Sequence, residues 1–182
     1  MLFRSKNCHN DCHNDRRNDC KPEPCRKEIK DNKHCPTIIK CGSVGSSAFP
    51  EIDIADLTGR TVNLSSVTVD TSCLCNPITK LDFSSNISAL ASVAANVIFQ
   101  VYKLCRGQLT PLPVGSAYIF SRLASAGEAN TFSFSICDCN SCFDECCTYT
   151  ITATVTGALD IGLNINNAQL IATSTCGSNN CC

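Results

Sequence analysis

The chain has 182 residues, 17 of them cysteine, and its 15 Lys+Arg and 16 Asp+Glu leave a formal net charge of −1. A chain of this length can bury a hydrophobic core without covalent help, so most of the sulfurs serve something other than the stability of a monomer. The cysteine number is odd, which requires at least one sulfur that is free, metal-bound or bonded to another chain.

The chain divides at about residue 41. Residues 1–41 carry ten Lys/Arg against six Asp/Glu, a net +4, and the remainder carries five against ten, a net −5. Opposite charges on the two parts of one chain favour head-to-tail association between copies, as steering more than as affinity at physiological salt. Residues 1–41 hold Cys8, Cys12, Cys20, Cys25, Cys35 and Cys41. They also hold a degenerate four-residue repeat, Cys8-His9-Asn10-Asp11, Cys12-His13-Asn14-Asp15, Arg16-Arg17-Asn18-Asp19. With almost no apolar residue between Asn7 and Pro36, this segment cannot offset its own ordering entropy and reads as a tether, a Cys-rich connector arm. Nucleic-acid binding does not suit it, because acids interleave with the bases and Phe3 is the only aromatic. Cys8, His9, Cys12 and His13 are candidate metal ligands at a turn, and a solvated Asn/Asp-rich tether is the alternative. Inter-chain disulfides explain the arm best, since a covalent bond replaces the costly docking of a floppy segment. Residues 42–47 follow as a Gly/Ser hinge.

Residues 48–182 form the domain proper. Eight runs of period two are predicted as strands at about 49–56, 60–70, 77–88, 94–105, 115–123, 130–137, 147–157 and 161–173. In the second, the apolar phase flips between Leu64 and Val67 through Ser65-Ser66, which predicts a bulge. Residues 86–95 suit either a strand or a helical turn. Phe132, Phe134 and Ile136 alternate with Thr131, Ser133 and Ser135, and Tyr149, Ile151, Ala153 and Val155 alternate with a ladder of threonines, so one face is core and the other polar. The fold expected is all-β, an eight-stranded jelly-roll sandwich with an extended Cys-rich N-terminal arm. No run reaches the ~18 apolar residues of a membrane helix, because residues 93–104 are interrupted by Asn96, Gln100 and Lys103. The first residues lack the apolar stretch of a secretory signal, so export by that route is not expected.

Strand phase sorts the body cysteines. Cys147 shares the phase of Tyr149 and should face the core, while Cys146 faces out. Cys137 is out of phase with Ile136, Cys73 and Cys75 continue the phase of Val67 and Val69, and Cys105 lies where both faces are mixed. Cys137, Cys139, Cys142, Cys146 and Cys147 admit three readings: a thiolate metal site, intra-chain disulfides to Cys73, Cys75 or Cys105, or inter-chain bonds. Cys176 stays open between intra-chain and inter-chain pairing, whereas Cys181 and Cys182 at an exposed end join the inter-chain candidates. Catalysis is not expected: His9, His13 and His34 all lie in the arm, no Gly-rich phosphate loop follows a strand, and Asp144-Glu145 sit beside no evident cleft. No cofactor is expected.

Four segments carry a family resemblance: Val67-Thr68-Val69-Asp70-Thr71-Ser72-Cys73-Leu74-Cys75-Asn76-Pro77, Lys80-Leu81-Asp82-Phe83-Ser84-Ser85, Phe99-Gln100-Val101-Tyr102-Lys103-Leu104-Cys105, and Phe134 through Thr150. The body, over about residues 41–156, resembles an uncharacterised cysteine-rich family of anaerobic, clostridial spore formers. Its architecture is similar to that of endospore appendage subunits, pilus-like fibres of jelly rolls in which a cysteine-bearing connector bonds to neighbouring subunits. The resemblance implies a homo-oligomeric filament on the spore surface, outside the cell, assembled in the mother cell and held by inter-subunit disulfides from the arm. A spore-surface anchoring partner is implied, without nucleic acid and without membrane insertion. The arm here is longer than such connectors and carries six cysteines, so only the role transfers, not the identity of the bonded residues.

Overall fold

The structure is a computed structural model that describes residues 36–49, 59–72, 74, 76–89, 93–124, 129–139, 146–156 and 162–177. The described residues form nine strands and no helix: β1 (Ile38–Cys41), β2 (Gly45–Phe49), β3 (Arg60–Asp70), β4 (Pro77–Ala89), β5 (Val93–Cys105), β6 (Leu112–Ala124), β7 (Ala129–Asp138), β8 (Cys146–Thr156) and β9 (Leu163–Cys176). Seven of them, β3 to β9, coincide with the predicted runs to within a few residues. Residues 86–89 are strand, extending β4, so the helical alternative does not hold there.

The first strand differs from expectation. Of the run expected at 49–56 only Phe49 lies among the described residues, and the edge position is filled instead by β1 and β2. These include the last residues assigned to the arm and half of those assigned to the hinge. Both pair antiparallel with β9, β1 through Ile38↔Ser174 to Cys41↔Ile171 and β2 through Gly45↔Ala168 to Phe49↔Leu163. They therefore share one edge of the sheet, broken at residues 42–44. The Gly/Ser composition that reads as a flexible hinge is used here for close approach: a Cβ on Gly45 would overlap the Leu64 carbonyl, and one on Gly42 would lie 2.6 Å from the Ser66 carbonyl oxygen.

With β1 and β2 counted as one position, eight positions fill two antiparallel sheets. One runs β1/β2-β9-β4-β7 and the other β3-β8-β5-β6. Successive strands from β2 to β9 alternate between the sheets except at β5-β6, where a hairpin stays within one. That path is the double Greek key of a jelly roll.

The core lies between the sheets. Leu81, Phe83, Leu163, Ile165 and Leu170 of the first sheet face Val69, Val97, Phe99, Tyr149 and Ile151 of the second, all of them buried. On the β6/β7 side, rings close the sandwich: Tyr118 stacks on Phe134 at 4.0 Å, Phe99 on Phe132 at 4.8 Å, and Phe83 lies 5.5 Å from Phe99. On the other side the closure is polar. The Ser65 hydroxyl donates to the Ser43 carbonyl at 2.6 Å and accepts from the Leu170 amide at 3.2 Å, while the Gly42 amide donates to the Leu170 carbonyl at 2.8 Å. This serine sits at the register shift between Asn63 and Ser65, where Leu64 and Ser65 are consecutive buried residues. The phase flip in the sequence is thus a bulge that turns a hydroxyl inward to tie β1 and β2 to both sheets.

Candidate functional site

Two groups of side chains at one end of the sandwich carry the chemistry. The first is internal. Strand alternation brings Lys103 and Cys105 of β5, and Cys147 and Tyr149 of β8, to the inner face, and Asp138 of β7 meets them from the opposite sheet. Cys105 and Cys147 are directly opposite in the β5/β8 ladder and form a disulfide across 4.0 Å between Cα atoms, at a sequence separation of 42. Lys103 Nζ lies 3.0 Å from Asp138 Oδ2, with side chains only 8% and 5% exposed, and the Tyr149 hydroxyl donates to the same oxygen at 2.8 Å. A buried cation, carboxylate and phenol satisfy one another where none could sit alone at modest cost. They fasten the end of β7 to the second sheet.

The second group is external. Because Asp138 points inward, its neighbour Cys137 points out, and it is an exposed free thiol. Cys41, at the end of β1, is the other exposed free thiol among the described residues with this character. On the same outer face, Lys80 Nζ contacts Asp82 Oδ1 at 2.7 Å and the Ser135 hydroxyl donates to that oxygen. The hydrogen bond from Lys80, then that from Ser135, hold the Asp82 carboxyl below its usual pKa. This contribution to stability exists above the unfolded carboxyl pKa and fades as pH falls through the lower folded value.

The inward phase of Cys147 and the outward phase of Cys137 appear in the structure as read from the sequence. Cys105, which the mixed pattern left unassigned, is buried. Cys146 is half-buried and is itself disulfide-bonded, as is Cys176. Cys139 is half-buried at the end of β7. Cys8, Cys12, Cys20, Cys25, Cys35, Cys73, Cys75, Cys142, Cys181 and Cys182, with His9 and His13, lie outside the described residues. Among the described residues, no three His, Cys, Asp or Glu side chains gather as a metal site would require. The Lys103-Asp138-Tyr149 network is missed by a sequence reading that treats Lys103 only as an interruption of an apolar run. The signal was its phase: Lys103 alternates inward with Val101 and Cys105.

A cysteine-bearing jelly roll, with one cystine inside and thiols on the outer face, is the class that fold and site define. Within it, the chain belongs to the family described as Domain of unknown function (DUF4489), which matches residues 35–175 and so takes in β1 and β2. No match was found among curated proteins. Among solved structures, the chain is similar to those of infectious bursal disease virus. The Gx strain structure is 12% identical, with a TM-score of 0.51, over 86% of this chain and 37% of that one. The VP2 subviral particle of the same virus is 10% identical, with a TM-score of 0.52, over 85% of this chain and 37% of that one. At these identities the likeness is one of fold, and this chain spans little more than a third of the viral chains.

Proposed function

We propose that the protein is a structural subunit that self-assembles into a disulfide-cross-linked, endospore appendage-like filament on the spore surface, with the N-terminal arm bonding to neighbouring subunits. The observation that carries this reading is the division of the sulfurs. The sandwich has a complete core and an internal Cys105–Cys147 cystine, yet Cys41 and Cys137 remain as exposed thiols and the arm brings five more cysteines before β1. Sulfur outside the core of a domain large enough to fold without it suits bonds between chains. The fold shared with a chain from a subviral particle supports a shell- or fibre-building role. Anchoring to a spore-surface protein and assembly in the mother cell, followed by oxidation, complete the proposal.

Purified protein examined by electron microscopy after air oxidation should show filaments of regular width, and boiling in detergent should release monomer only when strong reductant is added. Amorphous sheets in the microscope would favour the alternative, a non-filamentous cross-linked coat protein. Monomer released without reductant would overturn covalent locking, and stoichiometric zinc or copper with all thiols reduced would replace both readings by metal binding through residues such as Cys8, His9, Cys12 and His13.

A further inference from the structure

Lys103 and Asp138 are the only charged side chains buried among the described residues, and they come from opposite sheets. Strand alternation sets Lys103 directly opposite Tyr149 in the β5/β8 ladder, between the Val101–Ile151 pair and the Cys105–Cys147 pair on the same inner face. Val67 of β3 continues that row beyond Tyr149. Val67, Val101, Tyr149 and Ile151 are all buried, so the lysine is flanked along its own sheet by apolar side chains, a cystine and one phenol. On the facing sheet Asp138 shares a row with Thr79 and Ser174, whose hydroxyls bond each other at 2.8 Å. Lys103 Nζ, at 3.0 Å, and the Tyr149 hydroxyl, at 2.8 Å, converge on one atom, Asp138 Oδ2. The carboxyl carbon lies one covalent bond beyond that oxygen.

We infer that this ion pair is the precursor of a covalent bond: in the folded chain Lys103 Nζ and Asp138 Cγ condense to an isopeptide amide that ties β5 to β7 across the sandwich. Three features favour the condensation. In water an ammonium and a carboxylate resist it because both are well hydrated, whereas here both have lost that hydration and a neutral amide avoids the cost of two buried charges. Folding holds the two groups against each other, which replaces a bimolecular encounter by a reaction within one molecule. The Tyr149 hydroxyl already donates to the oxygen that must leave, so a proton relay stands at the reacting group.

One proton passes from Lys103 Nζ to Asp138 Oδ2, giving a neutral amine and a carboxylic acid. The nitrogen lone pair attacks Cγ, and the electrons of the Cγ–Oδ1 double bond move onto Oδ1. When the tetrahedral carbon collapses those electrons return and the Cγ–Oδ2 bond breaks. Tyr149 passes its proton to the departing Oδ2 and recovers one from the nitrogen. The products are one amide, with Oδ1 as its carbonyl oxygen, and one water. Nothing is oxidised or reduced, so the bond forms in reducing surroundings that would open a cystine. The Cys105–Cys147 cystine joins two strands of one sheet, whereas the amide joins the two sheets to each other. It lies within one subunit and stays closed when reductant opens every disulfide.

Mass spectrometry of the full-length protein tests this. The protein is folded, incubated, then denatured, reduced and alkylated so that no disulfide remains. Its intact mass should be one water below that of the sequence with all cysteines alkylated, and digestion should yield a branched peptide joining Lys103 to Asp138. A full sequence mass, with Lys103 and Asp138 in separate peptides, would overturn the inference. So would a lost water that maps elsewhere with Lys103 unlinked. Neither result bears on bonds between chains, which are read before reduction. Lys103→Arg keeps a cation for Asp138 but offers no amine, so it should retain the full mass; the Cys105–Cys147 peptide in a non-reducing map of the same sample reports that the sandwich has formed. Water loss persisting in that variant would overturn the assignment to Lys103. Tyr149→Phe should give the same branched peptide roughly a hundredfold more slowly. Formation at the wild-type rate would overturn the relay.

Discussion

Ser85 shows how far a single buried atom can depart from the pattern around it. Its hydroxyl is buried without a hydrogen-bond partner, beside the register shift between Ser84 and Asn86. Strand alternation by itself turns it inward, in phase with Leu81, Phe83 and Ile87, so a polar residue stands where the pattern calls for an apolar one. Ser85→Ala removes an unsatisfied buried group, and chemical denaturation should show a gain of about 1 kcal/mol. Lys103 makes the opposite case. Lys103→Met removes the cation paired with the buried Asp138 carboxylate, and the loss expected is about 3–5 kcal/mol. Replacing Asp138 by Leu in the same chain should recover part of it, because the buried charge is then gone. A double variant no more stable than Lys103→Met alone would show that the pair does not act as a unit.

At the scale of elements, two irregularities shape the sheets. Asn167 has φ of 53°, a left-handed conformation that asparagine tolerates better than most residues. The pairings of β9 with β2 and with β4 both shift register around it, so one residue bends the strand and moves both neighbours. Its sequence signal, Asn166-Asn167 inside an alternating run, was too slight to place a bulge, whereas Ser65-Ser66 broke the apolar phase outright. The Cys105–Cys147 cystine ties β5 to β8 across 42 residues of chain. Replacing both cysteines by alanine lengthens the loops open to the unfolded state and should lower stability by about 2–4 kcal/mol, read from the shift in urea midpoint. Strand phase made Cys147 legible as an inward residue. Its partner Cys105 stood in the sequence as one of three intra-chain candidates, with Cys73 and Cys75, and was not singled out, because Cys105 lies where apolar residues occupy both faces of β5 and pairing depends on which strands become neighbours.

The whole molecule places its boundary earlier than composition suggests. Residues 38–49 belong to the sandwich, since β1 and β2 pair with β9 and Ser43 is held by Ser65. A chain beginning at Pro36 should therefore keep the thermal midpoint of the body within a few degrees, whereas one beginning at Gly42 loses an edge strand and should melt measurably lower. Equal midpoints would show that β1 adds nothing to the fold. Under the proposed function, the longer truncation product should stay folded but lose the bonds made by the arm. The sequence by itself determined the all-β class, the positions of β3 to β9, the bulge at Ser65 and the facing of Cys137 and Cys147, because alternation along a strand is local and needs no partner to be read. Tertiary structure decided which sulfurs meet, that Lys103 and Asp138 share the core, and that Cys41 stands at a sheet edge with Cys137 at the other. Those facts depend on strand order, and strand order joins residues far apart in the chain that no local pattern connects.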